Sequence, residues 1–188
     1  MPPERAPSRL ELALLGVIHQ GPQSGYDLRK AFTLTPLAHF SDSPGAIYPA
    51  LGRLRRRGLV EPAVRERARG RRRVAFRLTP SGRRVFLAWL RRLPTSEEVE
   101  RDVDALLLRF AFMSQAVGTA EIRRFLKALQ ERLLEHLENL EAFLAGAGAA
   151  MTLSGRLAFE CGLEGVRADL RWVEHAQRAT APATVKGD

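Results

Sequence analysis

The residues best suited to chemistry in this 188-residue chain are arginines. Arg65, Arg67, Arg69, Arg71, Arg72, Arg73 and Arg77 fall within thirteen positions, and only Glu66 offsets them inside the run. Like charges at this density repel one another, so a sequence that keeps them together points first to a nucleic-acid backbone that neutralises them, with RNA, an acidic protein partner or a merely solvated loop as the alternatives. Each arginine brought to a nucleic-acid phosphate releases condensed counterion and makes binding salt-dependent. The alternation of Arg65, Arg67 and Arg69 puts one face of a ribbon toward such a partner, with Arg69, Arg71, Arg72 and Arg73 as its candidate phosphate ligands. Other chemistry has no comparable support. His19, His39, His136 and His175 are scattered, Cys161 is the only cysteine, and no metal-binding or nucleophile-base spacing occurs. We therefore expect neither an enzyme nor a cofactor. The stretch from Gly146 to Ala150 lacks the lysine and the preceding strand of a phosphate-binding loop and reads as a helix connector.

Charge is divided between two halves. Up to Arg92 there are nineteen basic and six acidic residues, net +13, whereas from Leu93 onward eleven basic and fifteen acidic residues give −4. The first half is thus the expected nucleic-acid binder and the second has another task. A hydrophobic fraction of 45% excludes global disorder. The N-terminus lacks an apolar stretch, and the aliphatic run from Leu12 to Ile18 is far short of the ~20 residues of a membrane span. The expected location is cytoplasmic, with no membrane partner.

The elements that must position the arginines are punctuated clearly. Ser8 and Glu11 form a capping box ahead of a first helix carrying Leu10, Leu14, Val17 and Ile18, which Gly21-Pro22 ends. Ser24 caps a second helix, Gly25 to Phe32, whose pattern turns Tyr26, Leu28 and Phe32 inward. Ser43-Pro44 opens a third, running to about Arg57 before Gly58, with Pro49 demanding a tight or bent first turn. Small Ser43, Gly45 and Ala46 allow its start to approach a groove closely. Tyr48 follows, and Arg53, Arg55, Arg56 and Arg57 lie toward its end, while Ile47, Leu51 and Leu54 take the opposite face. Leu59–Glu61 and Val74–Leu78 read as strands flanking the basic loop, which is a wing with Gly70 near its tip. Thr79-Pro80 starts a fourth helix with Val85, Phe86, Trp89 and Leu90 inward, and Leu93-Pro94 breaks the chain.

Beyond the break, Thr95 and Glu98 cap a helix whose apolar face includes Val103, Leu106, Leu107, Phe110 and Met113. A longer helix begins at Thr119. Its Ile122, Leu126, Leu129, Leu133, Leu137, Leu140 and Leu144 step by four, three, four, four, three and four, near the helical period. A last helix, Thr152 to Arg178, carries Leu157, Leu163, Val166, Leu170 and Val173. Seams through Leu106, Phe110, Leu126, Leu133, Leu137 and Leu170 hold more apolar surface than three helices hide, which predicts a dimer. The expected fold is mostly α with a small β-wing: a winged helix-turn-helix at 1–93, a helical dimerisation domain at 94–180 and a disordered tail at 181–188. Trp89 and Trp172 are core candidates by residue type, with a ligand clamp as the sharper reading.

The stretch from Ser43 to Leu54 followed by Gly58-Leu59-Val60, together with Ser24-Gly25-Tyr26-Asp27-Leu28 and Phe76-Arg77-Leu78-Thr79-Pro80-Ser81-Gly82, resembles the signature of the PadR family of transcriptional regulators. The likeness covers roughly residues 9–93. The acidic, leucine-rich half with Trp172 resembles, more weakly, the longer C-terminal domain of the larger PadR-like subfamily. What this implies is a homodimeric repressor on an inverted-repeat operator, released in some members by phenolic acids or other aromatic compounds. Ser24, Tyr26, Ser43, Gly45 and Tyr48 carry over as DNA-facing positions, and Trp89 and Trp172 as candidates for an aromatic effector. The chain departs at Arg55, Arg56 and Arg57, where the family commonly shows acidic residues, and at Phe76, which replaces a frequent tyrosine. The competing reading is a non-specific or architectural nucleic-acid-binding protein using the same basic wing.

Overall fold

A computed structural model describes residues 6–34, 44–64 and 74–181. The tip of the wing, with Arg69, Arg71, Arg72 and Arg73, lies outside these residues, as do Ser43 and nearly all of the expected tail. The described chain divides into two compact units, Met1–Leu90 and Arg91–Asp188.

In the first unit, helix α1 (Arg9–His19) opens on the expected capping box. The Ser8 amide donates to Glu11 Oε2 at 2.9 Å, and the Glu11 amide to the Ser8 hydroxyl at 3.3 Å. The two-residue strand β1 (Gln23–Ser24) leads into α2 (Gly25–Leu34), where Ser24 and Asp27 repeat the device with an aspartate. The Ser24 hydroxyl donates to Asp27 Oδ2 at 2.7 Å and accepts from the Asp27 amide at 3.2 Å. Leu28 and Phe32 are buried, but Tyr26 is 55% exposed, which corrects its inward assignment from periodicity.

The tight turn expected around Pro49 is a separate 3₁₀ turn, Pro44–Ala46, ahead of a regular α3 (Ile47–Arg56). Pro49 is the third residue of α3, where a backbone N–H would have no partner within that helix, so its absence is tolerated. Gly58, at φ 64°, ends the helix in the left-handed conformation that glycine adopts without strain. The Gly58 amide donates to Arg55 O at 3.0 Å and the Leu59 amide to Leu54 O at 2.9 Å, the paired bonds of a Schellman cap.

Strands β2 (Val60–Val64) and β3 (Val74–Leu78) pair antiparallel from Val60↔Leu78 to Val64↔Val74. β1 takes the other edge of β3, giving the order β1-β3-β2. This third strand was not expected: two residues carry no periodicity, and Ser24 read only as a cap. Pro62 sits in the edge strand β2, where a missing donor is least costly. Thr79 joins the wing to α4 (Pro80–Arg91), donating its hydroxyl to Gly58 O at 2.6 Å and accepting from the Gly82 amide at 3.0 Å.

The second unit is helical. The helix expected from Thr95 is in fact two, α5 (Ser96–Arg101) and α6 (Val103–Met113), separated at Asp102, which accepts from the Ala105 amide at 3.2 Å. A new cap offers the backbone an alternative to continuing one helix. The break turns Leu108, Arg109 and Phe112 inward and leaves Leu107 half-buried. Arg109 donates to Arg92 O at 3.1 Å, pairs with Glu98 and lies 5.9 Å from the Phe125 ring centroid. Burial lowers its guanidinium pKa, against the hydrogen bond and charge of Glu98. Helices α7 (Thr119–Ala147) and α8 (Leu153–Ala179) form a long hairpin through a 3₁₀ turn, Gly148–Ala150. Gly146 and Ala147 therefore belong to α7 rather than to the connector.

Candidate nucleic-acid interface

Helix α3 has one face committed to the core and one to solvent. Ile47, Ala50, Leu51 and Leu54 are buried, whereas Gly45, Tyr48, Arg55 and Arg56 are exposed and Ala46 is half-buried. Tyr48 is 53% exposed. Its ring lies over α2, where a Cβ added to Gly25 would meet Tyr48 Cε1 at 2.7 Å. Glycine there is a matter of space. Tyr26, Tyr48, Gly52, Arg55, Val74 and Phe76 line an open cleft of about 440 Å³ between α2, α3 and β3. Helix, tyrosine pair and wing base thus share one side of the unit, with a guanidinium at its edge.

Not every expected ligand reaches that side. Ser24 is buried and its hydroxyl is given to Asp27, so its side chain belongs under the surface as a cap. Arg53 points its Nε at Glu11 Oε1, 2.6 Å away, and Arg57 lies 3.6 Å from Glu11 Oε2. Arg77 pairs at 2.8 Å with Glu61, its cross-strand neighbour, so one charge of the arginine run is offset by a residue sixteen positions earlier. Sequence reasoning read Glu11 only as a cap for Ser8 and missed its second role, because its arginine partners are more than forty residues away. The one available signal was the scarcity of acids in the first half.

The tryptophans are accounted for within their own units. Trp89 is buried 5.9 Å from Phe86, and Trp172 is half-buried, edge-on to Phe110 at 5.2 Å. The residues expected to form the dimer seam lie mostly inside the single chain. Leu106, Leu126, Leu133 and Leu170 are already buried in the single chain, and Phe110 and Leu137 are half-buried. The reason is that α5, α6 and α8 cover the first half of α7. The large exposed apolar side chains lie elsewhere on α7 and α8: Leu134, Phe143, Leu153 and Leu157. Among the described residues, no helix is long and apolar enough to cross a membrane, and no cluster of three or more His, Cys, Asp or Glu side chains is placed to hold a metal.

A short two-helix pair, α2 and α3, followed by a β-hairpin packed on a third strand defines a winged helix-turn-helix, a DNA-binding fold, here extended by C-terminal helices. Residues 14–88, which lie within this winged-helix unit, match the transcriptional regulator PadR-like family. Solved structures similar to the chain include Bacillus subtilis PadR in complex with operator DNA, 23% identical, covering 93% of this chain and 100% of that one at a TM-score of 0.42. The same protein in complex with p-coumaric acid is 21% identical, with 94% and 98% covered at 0.43. The PadR-like regulator BC1756 from Bacillus cereus is 22% identical, with 91% and 97% covered at 0.39. Among curated proteins none matches.

Proposed function

We propose that this protein is a homodimeric repressor that reads an inverted-repeat operator with the N-terminal part of α3 in the major groove. The carrying observation is the division of α3 and the 3₁₀ turn ahead of it: the turn holds small, exposed Gly45, and the solvent face of α3 holds exposed Tyr48 and cationic Arg55 and Arg56 beside Tyr26 of α2. Small residues permit close approach, tyrosine offers a hydroxyl to phosphate or base, and arginines fix the register. The division of labour assigns 1–93 to DNA and 94–180 to pairing. In this reading Ser43 adds a contact at the start of the helix, and the wing arginines Arg69, Arg71, Arg72 and Arg73 add phosphate contacts. A small aromatic effector that releases the protein is part of the proposal, with half-buried Trp172 as its reporter.

Footprinting on promoter DNA tests the reading. A protected inverted repeat with half-sites about one helical turn apart, ~10 bp or a multiple of it, is the expected result. Uniform protection that disappears with modest salt would instead make this a non-specific or architectural protein. Titration with aromatic acids, following tryptophan fluorescence and operator release together, tests the effector.

A further inference from the structure

Four arginines crowd the end of α3 and the residue after it: Arg53, Arg55, Arg56 and Arg57. As a sequence they are four equivalent phosphate ligands, but the structure divides them into two pairs. Glu11, on α1 and only 4% exposed, receives Arg53 Nε on one oxygen at 2.6 Å. Its other oxygen accepts from the Ser8 amide at 2.9 Å and stands 3.6 Å from an Arg57 terminal nitrogen. Arg55 and Arg56 are exposed and pair with no carboxylate among the described residues. A carboxylate so far removed from water is costly unless it is paired and hydrogen-bonded, so the contacts to Arg53 and Ser8 hold one another in place.

We propose that Glu11 is a positioning residue for DNA recognition. It is an internal counter-anion standing where a phosphate would otherwise sit on Arg53 and Arg57, locking α3 onto α1 and leaving Arg55 and Arg56 as the phosphate-binding cations of that helix. This inference rests on the reading that α3 faces DNA. Its physical content is a difference in counterion release. A free arginine that meets a phosphate displaces a condensed cation, whereas an arginine already neutralised by a carboxylate displaces none on balance. Arg53 therefore serves alignment, and Arg55 and Arg56 serve attraction.

The experiment is operator binding by the full-length protein across a salt series, beside binding to an unrelated duplex. Arg55→Ala is expected to make the slope of log K against log salt shallower by ~0.9, the value of one phosphate contact. Arg53→Ala is expected to leave the slope unchanged within about 0.3, a third of one such contact. Glu11→Gln keeps an acceptor for Ser8 but removes the charge. It should steepen the slope by ~0.9, tighten binding to the unrelated duplex at low salt and lower the ratio of operator to unrelated affinity. A merely structural Glu11 would weaken all binding without steepening any slope. An Arg53→Ala slope as shallow as that of Arg55→Ala, or a Glu11→Gln slope equal to wild type, overturns the assignment alone. An unchanged slope in Arg55→Ala overturns the placement of α3 on DNA and the assignment with it. If Glu11→Gln does not fold, the contrast between the two alanine variants still decides.

Discussion

Tyr48 shows how one residue's contribution depends on the space beneath it. Its ring rests over Gly25 while its side chain stays exposed, so removing the hydroxyl leaves the core undisturbed and deletes only the hydrogen bond to DNA that the proposed function assigns to it. Tyr48→Phe is expected to cost about 1 kcal/mol of operator affinity, the scale of one hydrogen bond, with unfolding stability nearly unchanged. Gly25→Ala should weaken the operator too, because the new methyl displaces the ring that carries the hydroxyl. Operator titration beside urea unfolding checks both. A Tyr48→Phe protein that binds normally would put the hydroxyl off the DNA. Residue identity alone announced Tyr48 as a candidate. It did not distinguish Arg53 from Arg55, because that distinction lies in the buried carboxylate of a different helix.

At the scale of elements, the junction of α3, β2 and α4 leaves no room for a side chain at Gly82. A Cβ built on Gly82 would lie 1.9 Å from the carbonyl oxygen of Leu59, so α4 can approach the chain just ahead of β2 only with glycine at that point. Thr79 completes the junction, its amide donating to Leu59 O at 3.1 Å and its hydroxyl to Gly58 O. Gly82→Ala must push backbone against backbone and is expected to cost about 3 kcal/mol, the upper part of the overpacking range. A fall in Tm on the order of 10 °C, by calorimetry, would follow; an unchanged Tm would show that the helix slides without penalty. Elements were legible in the sequence where a cap or a long period marked them, as at Ser8, Thr95 and Thr119. The strand at Gln23–Ser24 was not, since it depends on β3, some fifty residues on, and the break at Asp102 was not, since a single local cap to the Ala105 amide interrupts an apolar pattern that otherwise reads as one helix. The 3₁₀ turn ahead of α3 was half legible: Pro49 called for a tight turn but did not locate it.

For the whole molecule, the question is what covers the far half of the α7–α8 hairpin. The two helices are tied to each other by the Phe143–Phe159 ring pair at 5.4 Å and by Arg167, which bridges Glu141 on α7 and Glu164 on α8. Such exposed ion pairs add little stability, so they fix alignment rather than hold the hairpin together. Leu134, Phe143, Leu153 and Leu157 remain exposed there, Leu153 at 76%. Fully burying a side chain of this kind is worth ~1.5–3 kcal/mol, and a two-fold interface counts each one twice. The dimer is therefore expected through these residues rather than through the leucines that periodicity singled out. Leu153→Asp with Leu157→Asp tests the point with little risk to the fold. Both positions are on the surface of the single chain, and an acid at Leu153, the first residue of α8, suits the positive end of that helix. Light scattering at micromolar concentration should find a dimer for the wild type and a monomer for the double variant, with helical content preserved by circular dichroism. Affinity for a single half-site should be unchanged, while affinity for the full operator falls toward it, because the second half-site no longer binds at high effective concentration. A double variant that stays dimeric would move the interface away from the hairpin. A monomeric one that still binds the full operator as tightly as wild type would mean that pairing has no part in recognition.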